Sequence, residues 1–281
     1  MKKNGRAEIT IKTTIAHLTR LNRLCNIYEP DQVKTTIALQ TWKNNSKRNL
    51  AQIYTGYIKY IGKTWECPKY AHQSGLPFIP TEQELDLLVA LGKPRTSTLL
   101  QTLKETGARI GEMQALLWTH IDVQRKTIYI TAEKGSNSRI LPISEKLIAM
   151  LNQIPHDNVR VFPTSTHGLQ VTFDKLRRRA AKKFSNPIFL QIHPHTFRHW
   201  KGTMEYHKIK DIVHVKTVLG HKSITTTMIY INLENALFTE NSDEWTAKAT
   251  RDNNEVLKLA EAGFQPFQTT PDGLMIFRKH K

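Results

Sequence analysis

Apolar residues recur at helical spacing through the first quarter of the chain and predict helices over 11–24, 31–42 and 47–61. In the third of these, Leu50, Ile53, Tyr54, Tyr57, Ile58 and Ile61 fall on one face. Residues 1–70 therefore read as a small helical domain. The next ten residues, 71–80, carry Gly75, Pro77 and Pro80, which interrupt regular structure and mark a linker. Thr81 then opens a helix as an N-cap with Glu84 three residues on, and Leu85, Leu87, Leu88, Ala90 and Leu91 supply its buried side.

Helical patterns follow near 97–104 and 110–117. The period then changes to two, over 127–131 and 139–143, which predicts a hairpin turning at Lys134, Gly135, Ser136 and Asn137. Helical spacing resumes at 169–183, 200–207, 210–219 and 225–231, so a domain over 81–240 is mostly helical with a small sheet. Beyond it, 241–281 reads as a β-α-β-β appendage: a strand at 244–249, a helix at 253–262, and strands at 264–269 and 274–278 about a Pro271-Asp272-Gly273 turn. The fold class expected is mainly α with a small antiparallel sheet and a small α+β appendage. No internal repeat or low-complexity segment is present.

Charge changes the picture from architecture to partner. Lys and Arg outnumber Asp and Glu by 41 to 24, a formal net charge of +17, which points to a polyanion. Residues 1–78 hold thirteen bases against four acids, more than half of the surplus in little more than a quarter of the chain. Lys12, Arg20, Arg23, Lys43, Lys47, Arg48, Lys59 and Lys63 are the candidate phosphate contacts there, against the plainer reading of a solvated basic surface. No run approaches the roughly 20 apolar residues that span a bilayer, and no apolar signal region follows 1–6, so a soluble cytoplasmic protein with no membrane partner is expected. Cys25 and Cys67 are too few for a disulfide framework and lack zinc spacing.

Four polar clusters remain: Glu105-Thr-Gly-Ala-Arg109-Ile-Gly-Glu112, Lys134-Gly135, His195-Thr-Phe-Arg198, and Leu219-Gly-His221 with Tyr230 nine residues later. Each alone has an ordinary structural reading. Arg109 and Glu112 could be a helical ion pair, Lys134 a solvated turn residue, His195 and Arg198 chance neighbours on a helix face, and Tyr230, between Ile229 and Ile231, a core aromatic. His193, His195 and His199 suggest a metal, but no carboxylate or thiol completes a ligand set and Arg198 would repel a cation. No metal and no cofactor are expected.

Taken together, the order Arg109, Lys134, His-x-x-Arg at 195–198, Gly-His at 220–221 and Tyr230 resembles the tyrosine recombinase and phage-type integrase family, with Xer-like framework in Leu116-Leu-Trp118-Thr-His-Ile-Asp122 and 219–230. The match covers the second domain. The helical segment before the linker resembles the family's core-binding domain in position only, and 244–281 is similar to appendages on some archaeal integrases. The resemblance implies a two-domain recombinase whose partner is double-stranded DNA. It would work as a dimer on each site and a tetramer in synapsis, with accessory DNA-bending proteins as possible partners. It further implies a prokaryotic, viral or plasmid-encoded protein working at the nucleoid.

The chemistry explains the residue types. Attack at phosphorus builds charge on nonbridging oxygens, and the guanidiniums of Arg109 and Arg198 can each donate parallel hydrogen bonds to them, with His221 as a third donor. Glu112 or Asp122 would hold Arg109 in place. A phenol of pKa about 10 is only about 0.1% ionised at pH 7, which costs roughly 4 kcal/mol, so Tyr230 needs a base, assigned to His195. The leaving 5′ oxygen needs a proton, assigned to Lys134. The family resemblance implies a 3′-phosphotyrosine product that conserves bond energy, so strand exchange needs no ATP. A nicking and rejoining topoisomerase shares this residue set, and a DNA-binding module without cleavage is the non-enzymatic alternative.

Overall fold

The computed structural model describes every residue except 1–4, 6, 73–74, 134, 239–244, 272 and 281. It divides into two compact units, 1–75 and 76–281.

The first unit holds three helices among the described residues: α1 (Glu8–Asn22), α2 (Pro30–Leu39) and α3 (Asn44–Tyr60). Proline at the first position of α2 loses no hydrogen bond there and presets the helical φ. Leu21, Val33, Ile37, Leu50, Tyr54 and Ile58 form its core. The Tyr54 hydroxyl donates to the Ile27 carbonyl at 2.9 Å, and the Trp65 ring meets Tyr54 edge-on at 4.6 Å. Burial pushes the Tyr54 phenol up to about 12.

The second unit begins with α4 (Glu82–Leu91), whose capping box is complete: the Thr81 amide donates to Glu84 at 2.8 Å and the Glu84 amide to the Thr81 hydroxyl at 3.3 Å. Next come α5 (Pro94–Thr106) and the short α6 (Ile110–Gln114), then the antiparallel strands β1 (Ile121–Asp122), β2 (Thr127–Ile130) and β3 (Arg139–Pro142) in the order β1-β2-β3. The hairpin pairs Ile130 with Arg139 and Thr127 with Pro142. The two-residue strand β1 and the helix α7 (Glu145–Asn152) are additions to the sequence reading. The Ser144 hydroxyl caps α7, and Leu147, Ile148 and Leu151 are its buried side.

The remaining helices are α8 (Thr166–Lys183), α9 (Pro194–Ile209), α10 (Ile212–Leu219) and α11 (Ile229–Phe238). Helix α9 starts six residues before the predicted position 200, with proline at its first position, so His195 and Arg198 lie inside it. A core built largely from α4, α5, α7, α8 and the sheet includes Leu85, Leu100, Leu103, Phe162, Phe189 and Phe197. The appendage has β4 (Trp245–Thr250), α12 (Asn253–Glu261), β5 (Gln265–Thr269) and β6 (Met275–His280), with β6 central in the order β4-β6-β5. Asp272, in the expected turn, lies outside the described residues. The architecture is thus mainly helical with small antiparallel sheets. Among the described residues no helix is long and apolar enough to cross a membrane.

Candidate active site

Two left-handed turns build the centre of the site. Helix α5 ends at Gly107 (φ 60°) and α10 ends at Gly220 (φ 69°), a conformation that costs glycine least. Arg198, 1% exposed, is wedged between those two helix ends and donates to the Gly107 carbonyl at 2.8 Å and the Leu219 carbonyl at 2.6 Å. Each partner carries the negative end of a helix dipole, which offsets part of the cost of burying the cation. Burial, then the field of Arg109, brings Arg198 down to about 10, still charged at neutral pH.

Arg109 immediately precedes α6, and Glu112 reaches back from the first turn. Its carboxylate accepts from the Arg109 amide at 2.9 Å and from Arg109 Nη1 at 3.3 Å. Glu112 is fully buried at its side chain and also receives a two-pronged bond from Arg139, at 2.9 and 3.3 Å, and Ser136 Oγ at 2.9 Å. Burial opposes its ionisation, but Arg139, the Arg109 amide and Ser136 outweigh that and hold the carboxyl below its ordinary range.

Asp122 requires a correction. Its carboxylate accepts from the Arg125 amide at 2.8 Å and lies 3.4 Å from Arg125 Nη1, so it closes the turn between β1 and β2 instead of holding Arg109. The β1–β2 register, with Asp122 opposite Thr127, sets it there.

Tyr230 lies at the start of α11 and is 1% exposed, packed with Val215, Leu219 and Leu233. Its ring centroid is 6.2 Å from that of His199 and 6.4 Å from that of His221, the latter nearly parallel at 7°. Gly202 lies directly beneath it: a methyl built at position 202 would stand 2.5 Å from Tyr230 Cζ. Burial pushes the phenol up to about 12, with Arg198 and Arg109 pulling the other way. The rest of α11 packs on α9 of the same chain: Glu234 accepts from His207 at 2.9 Å and pairs with Lys210, and Phe238 stacks on His207 at 3.9 Å.

His221 follows Gly220, and its Nδ1 is 2.9 Å from the buried Thr227 hydroxyl. Burial, then Arg198 and Arg109, brings it down to about 3. His195 and His199 touch edge to face at 4.8 Å. Desolvation, then Arg198 and Arg109, lowers His195 to about 4, although part of the residue remains open to solvent in the cleft. His199 is also lowered to about 4 by burial, and its Nδ1 has no hydrogen-bond partner among the described residues. His193 is the residue before α9, its Nδ1 3.0 Å from the Thr196 hydroxyl. Arg109, Gly111, Glu133, Gln170, His193 and His195 line an open cleft.

The structure thus brings Arg109, Glu112, Arg198, His195, His221 and Tyr230 into one neighbourhood. Lys134 lies outside the described residues, though Glu133 and Gly135 to Asn137 on either side are described. Gly202, Thr227 and Arg139 are residues at this site to which the sequence assigned no role, and His199, weighed there only as a metal ligand, packs beside His195 and Tyr230. Among the described residues no three His, Cys, Asp or Glu side chains are arranged to hold a metal ion.

The basic residues of the first unit differ in their surroundings. Lys12 pairs with Glu8 at 3.0 Å, Arg20 stacks over Trp42 at 4.4 Å, and the Lys47 and Lys63 ammoniums each donate to a backbone carbonyl, of Ala38 and Tyr28, at 2.8 Å. Arg23, Lys43, Arg48 and Lys59 are exposed.

Comparison with known proteins follows the same residues. The sequence model of the phage integrase family matches 78–236. Tyrosine recombinase XerC of Xanthomonas axonopodis pv. citri (strain 306) is 28% identical over 167 residues, 56% of this chain and 50% of that protein. Tyrosine recombinase XerA of Pyrococcus horikoshii is 24% identical over 226 residues, 75% of this chain and 73% of that one. The chain spans about half the length of the XerC relatives it matches. Among solved structures, a lambda integrase dimer bound to a COC' core site aligns with a TM-score of 0.67 at 13% identity, covering 86% of this chain and 76% of that one. The Tn1549 transposon integrase in complex with transposon right end DNA aligns at 0.62 and 14% identity, covering 85% and 96%. At these identities the two likenesses establish the fold. With the family match extending over more than half its length, the chain belongs to the phage integrase family of tyrosine recombinases.

Proposed function

We propose that this chain is a site-specific DNA recombinase that cuts and rejoins double-stranded DNA through a 3′-phosphotyrosine, without ATP. The Tyr230 oxygen forms a bond to phosphorus, the bond from phosphorus to the 5′ oxygen breaks, His195 takes the phenolic proton and Lys134 returns one to the departing oxygen. Arg109, Arg198 and His221 meet the charge that grows on the nonbridging oxygens, while Glu112 holds Arg109. A 5′ hydroxyl from another strand reverses the steps and reseals the backbone. The observation that carries this reading is that α9 bears the buried Arg198 and, at Gly202, seats the buried Tyr230, with Arg109 close enough to perturb both and with His195 and His221 in the field of the two arginines.

The same geometry sets two requirements. An imidazole near 4 is a poor base for a phenol near 12. A phosphate between Arg109 and Arg198 offsets their charge, raising His195 toward its ordinary value. A phenol 1% exposed must also leave its pocket to reach phosphorus, so the start of α11 moves for attack.

The surplus of positive charge in 1–78 supports a phosphate-gripping role for the first unit, through Arg23, Lys43, Arg48 and Lys59, which are presented to solvent, and through Lys12, Arg20, Lys47 and Lys63. The lambda integrase dimer on its core site supports a dimer on each site, and strand exchange between two such sites would bring four protomers together. Incubation with a nicked suicide duplex tests the reaction: wild type is expected to form a covalent protein–DNA complex on a denaturing gel, and Tyr230→Phe none at similar DNA affinity. Absence of the complex with wild type refutes the proposal.

A further inference from the structure

Arg139 lies at the first position of β3 and is 7% exposed, one of the few buried cations among the described residues. Its guanidinium meets Glu112 with both terminal nitrogens, Nη2 to Oε2 at 2.9 Å and Nη1 to Oε1 at 3.3 Å. Arg109 contributes a single side-chain bond of 3.3 Å to the same carboxylate, together with its backbone amide. The stronger ion pair of Glu112 is therefore with Arg139. Ser136 Oγ, 2.9 Å from Glu112 Oε1, and the Asn137 carbonyl, 3.4 Å from Arg139 Nη1, tie the hairpin to this pair. The Asn137 amide donates to the Gly220 carbonyl at 2.9 Å, and a methyl at Gly220 would stand 2.9 Å from Arg139 Nη1, so the residue before His221 packs on the same guanidinium.

We propose that Arg139 is a positioning residue: it serves as the counter-ion of Glu112 and so leaves the charge and remaining donors of Arg109 free for phosphate. The inference rests on the reading of Arg109 as a phosphate-binding residue. A buried carboxylate must be neutralised. Without Arg139 the nearest cation able to do so is Arg109, which would then turn its guanidinium fully onto Glu112 and away from the cleft. With Arg139 in place, Glu112 can orient Arg109 through its backbone amide and one Nη without consuming its charge. Lysine cannot reproduce the fork, because it offers one nitrogen where the carboxylate oxygens and the Asn137 carbonyl need two.

The test uses the full chain in single-turnover cleavage of the nicked duplex, with folding followed by circular dichroism and DNA affinity measured alongside. Arg139→Met is expected to bind DNA within about threefold of wild type and to cleave about tenfold or more slowly, and adding Glu112→Gln is expected to recover most of that loss, the coupling that a double-mutant cycle detects. In Arg139→Met the deficit relative to wild type should also narrow as pH falls toward the carboxylate range, since protonating Glu112 releases Arg109 while protonation of His195 slows both proteins alike; a purely structural defect would widen it in acid. Cleavage by Arg139→Met at the wild-type rate overturns the proposal, as does a double variant that is folded and no faster than the single one. Should Arg139→Met fail to fold, Arg139→Lys carries the test: slowed cleavage that Glu112→Gln relieves is expected, and a wild-type rate overturns the requirement for the fork. A wild-type protein that forms no adduct would remove the recombinase reading itself; an adduct from wild type with an equal one from Arg139→Met removes only this inference.

Discussion

The phenol ring of Tyr230 rests on the backbone of Gly202, with room for no side chain between them: the first carbon of any other residue would stand 2.5 Å from Cζ and 2.6 Å from Cε1. Gly202 sits one helical turn beyond Arg198 and His199 on α9, so this contact sets the depth at which the tyrosine lies beside the cation that would receive its phosphate.

Because the ring leaves this pocket for attack, Gly202→Ala is expected to destabilise the resting position and to speed single-turnover cleavage by up to about tenfold, the effect of about 1.4 kcal/mol less to draw the tyrosine out. DNA affinity should stay near wild type because the contact is internal. Cleavage at the wild-type rate would show that the packed position of Tyr230 has no bearing on attack.

Thr227 is fully buried, and its hydroxyl is the polar partner of His221 Nδ1. A neutral imidazole that accepts the hydroxyl proton at Nδ1 keeps its own proton on Nε2, ready to donate to a phosphate oxygen. Thr227→Val is expected to slow cleavage about tenfold, by analogy with the loss of a partner that orients a ligating histidine, and Thr227→Ser to restore it. An unaffected Val variant would separate the hydroxyl from catalysis.

Acid should destabilise the fold. His221 is brought to about 3 and His199 to about 4, chiefly by burial, from an ordinary 6.5. Between pH 6.5 and 4 the unfolded chain therefore binds protons on these rings that the folded chain refuses, and the unfolding free energy falls as pH falls through that window. Glu112, held below 4.5, adds stability that is present above its unfolded value and is lost as pH falls through its lower folded one. Thermal melting is expected to drop between pH 7 and pH 5, and less steeply in His199→Gln; a melting temperature that holds steady or rises toward pH 5 would contradict the assignment.

Much of this was legible from local pattern. Helical period marks α1 to α3, the Thr81 and Glu84 pair marks the start of α4, and alternation marks β2 and β3. The order of Arg109, His195, Arg198, His221 and Tyr230 marks the family. What the pattern withheld is tertiary. Arg139 reads as one polar residue of an alternating strand, and only the meeting of 109–112, 136–139 and 220 makes it a buried counter-ion. Asp122 was paired with the wrong arginine because nothing in sequence spacing reveals that a two-residue strand turns it toward Arg125. Tyr230 read in isolation is a core aromatic, and its burial fits that description; the nucleophile role proposed for it rests on its company, which includes Arg198 and His221.

The exposed cations of the first unit invite a salt titration. Replacing Arg23, Lys43, Arg48 and Lys59 together with Gln is expected to flatten the dependence of log Kd on log salt by about two to four, because each phosphate contact contributes about 0.9 to the slope. An unchanged slope would place the phosphate contacts elsewhere on the chain.

In the proposed reaction Tyr230 becomes joined to DNA. Digesting the covalent complex formed on a nicked suicide duplex and locating the nucleotide-bearing peptide by mass spectrometry tests it most directly. A nucleotide attached through its 3′ phosphate to Tyr230 is expected; an adduct on any other residue, or none from the wild-type protein, would rule Tyr230 out as the nucleophile.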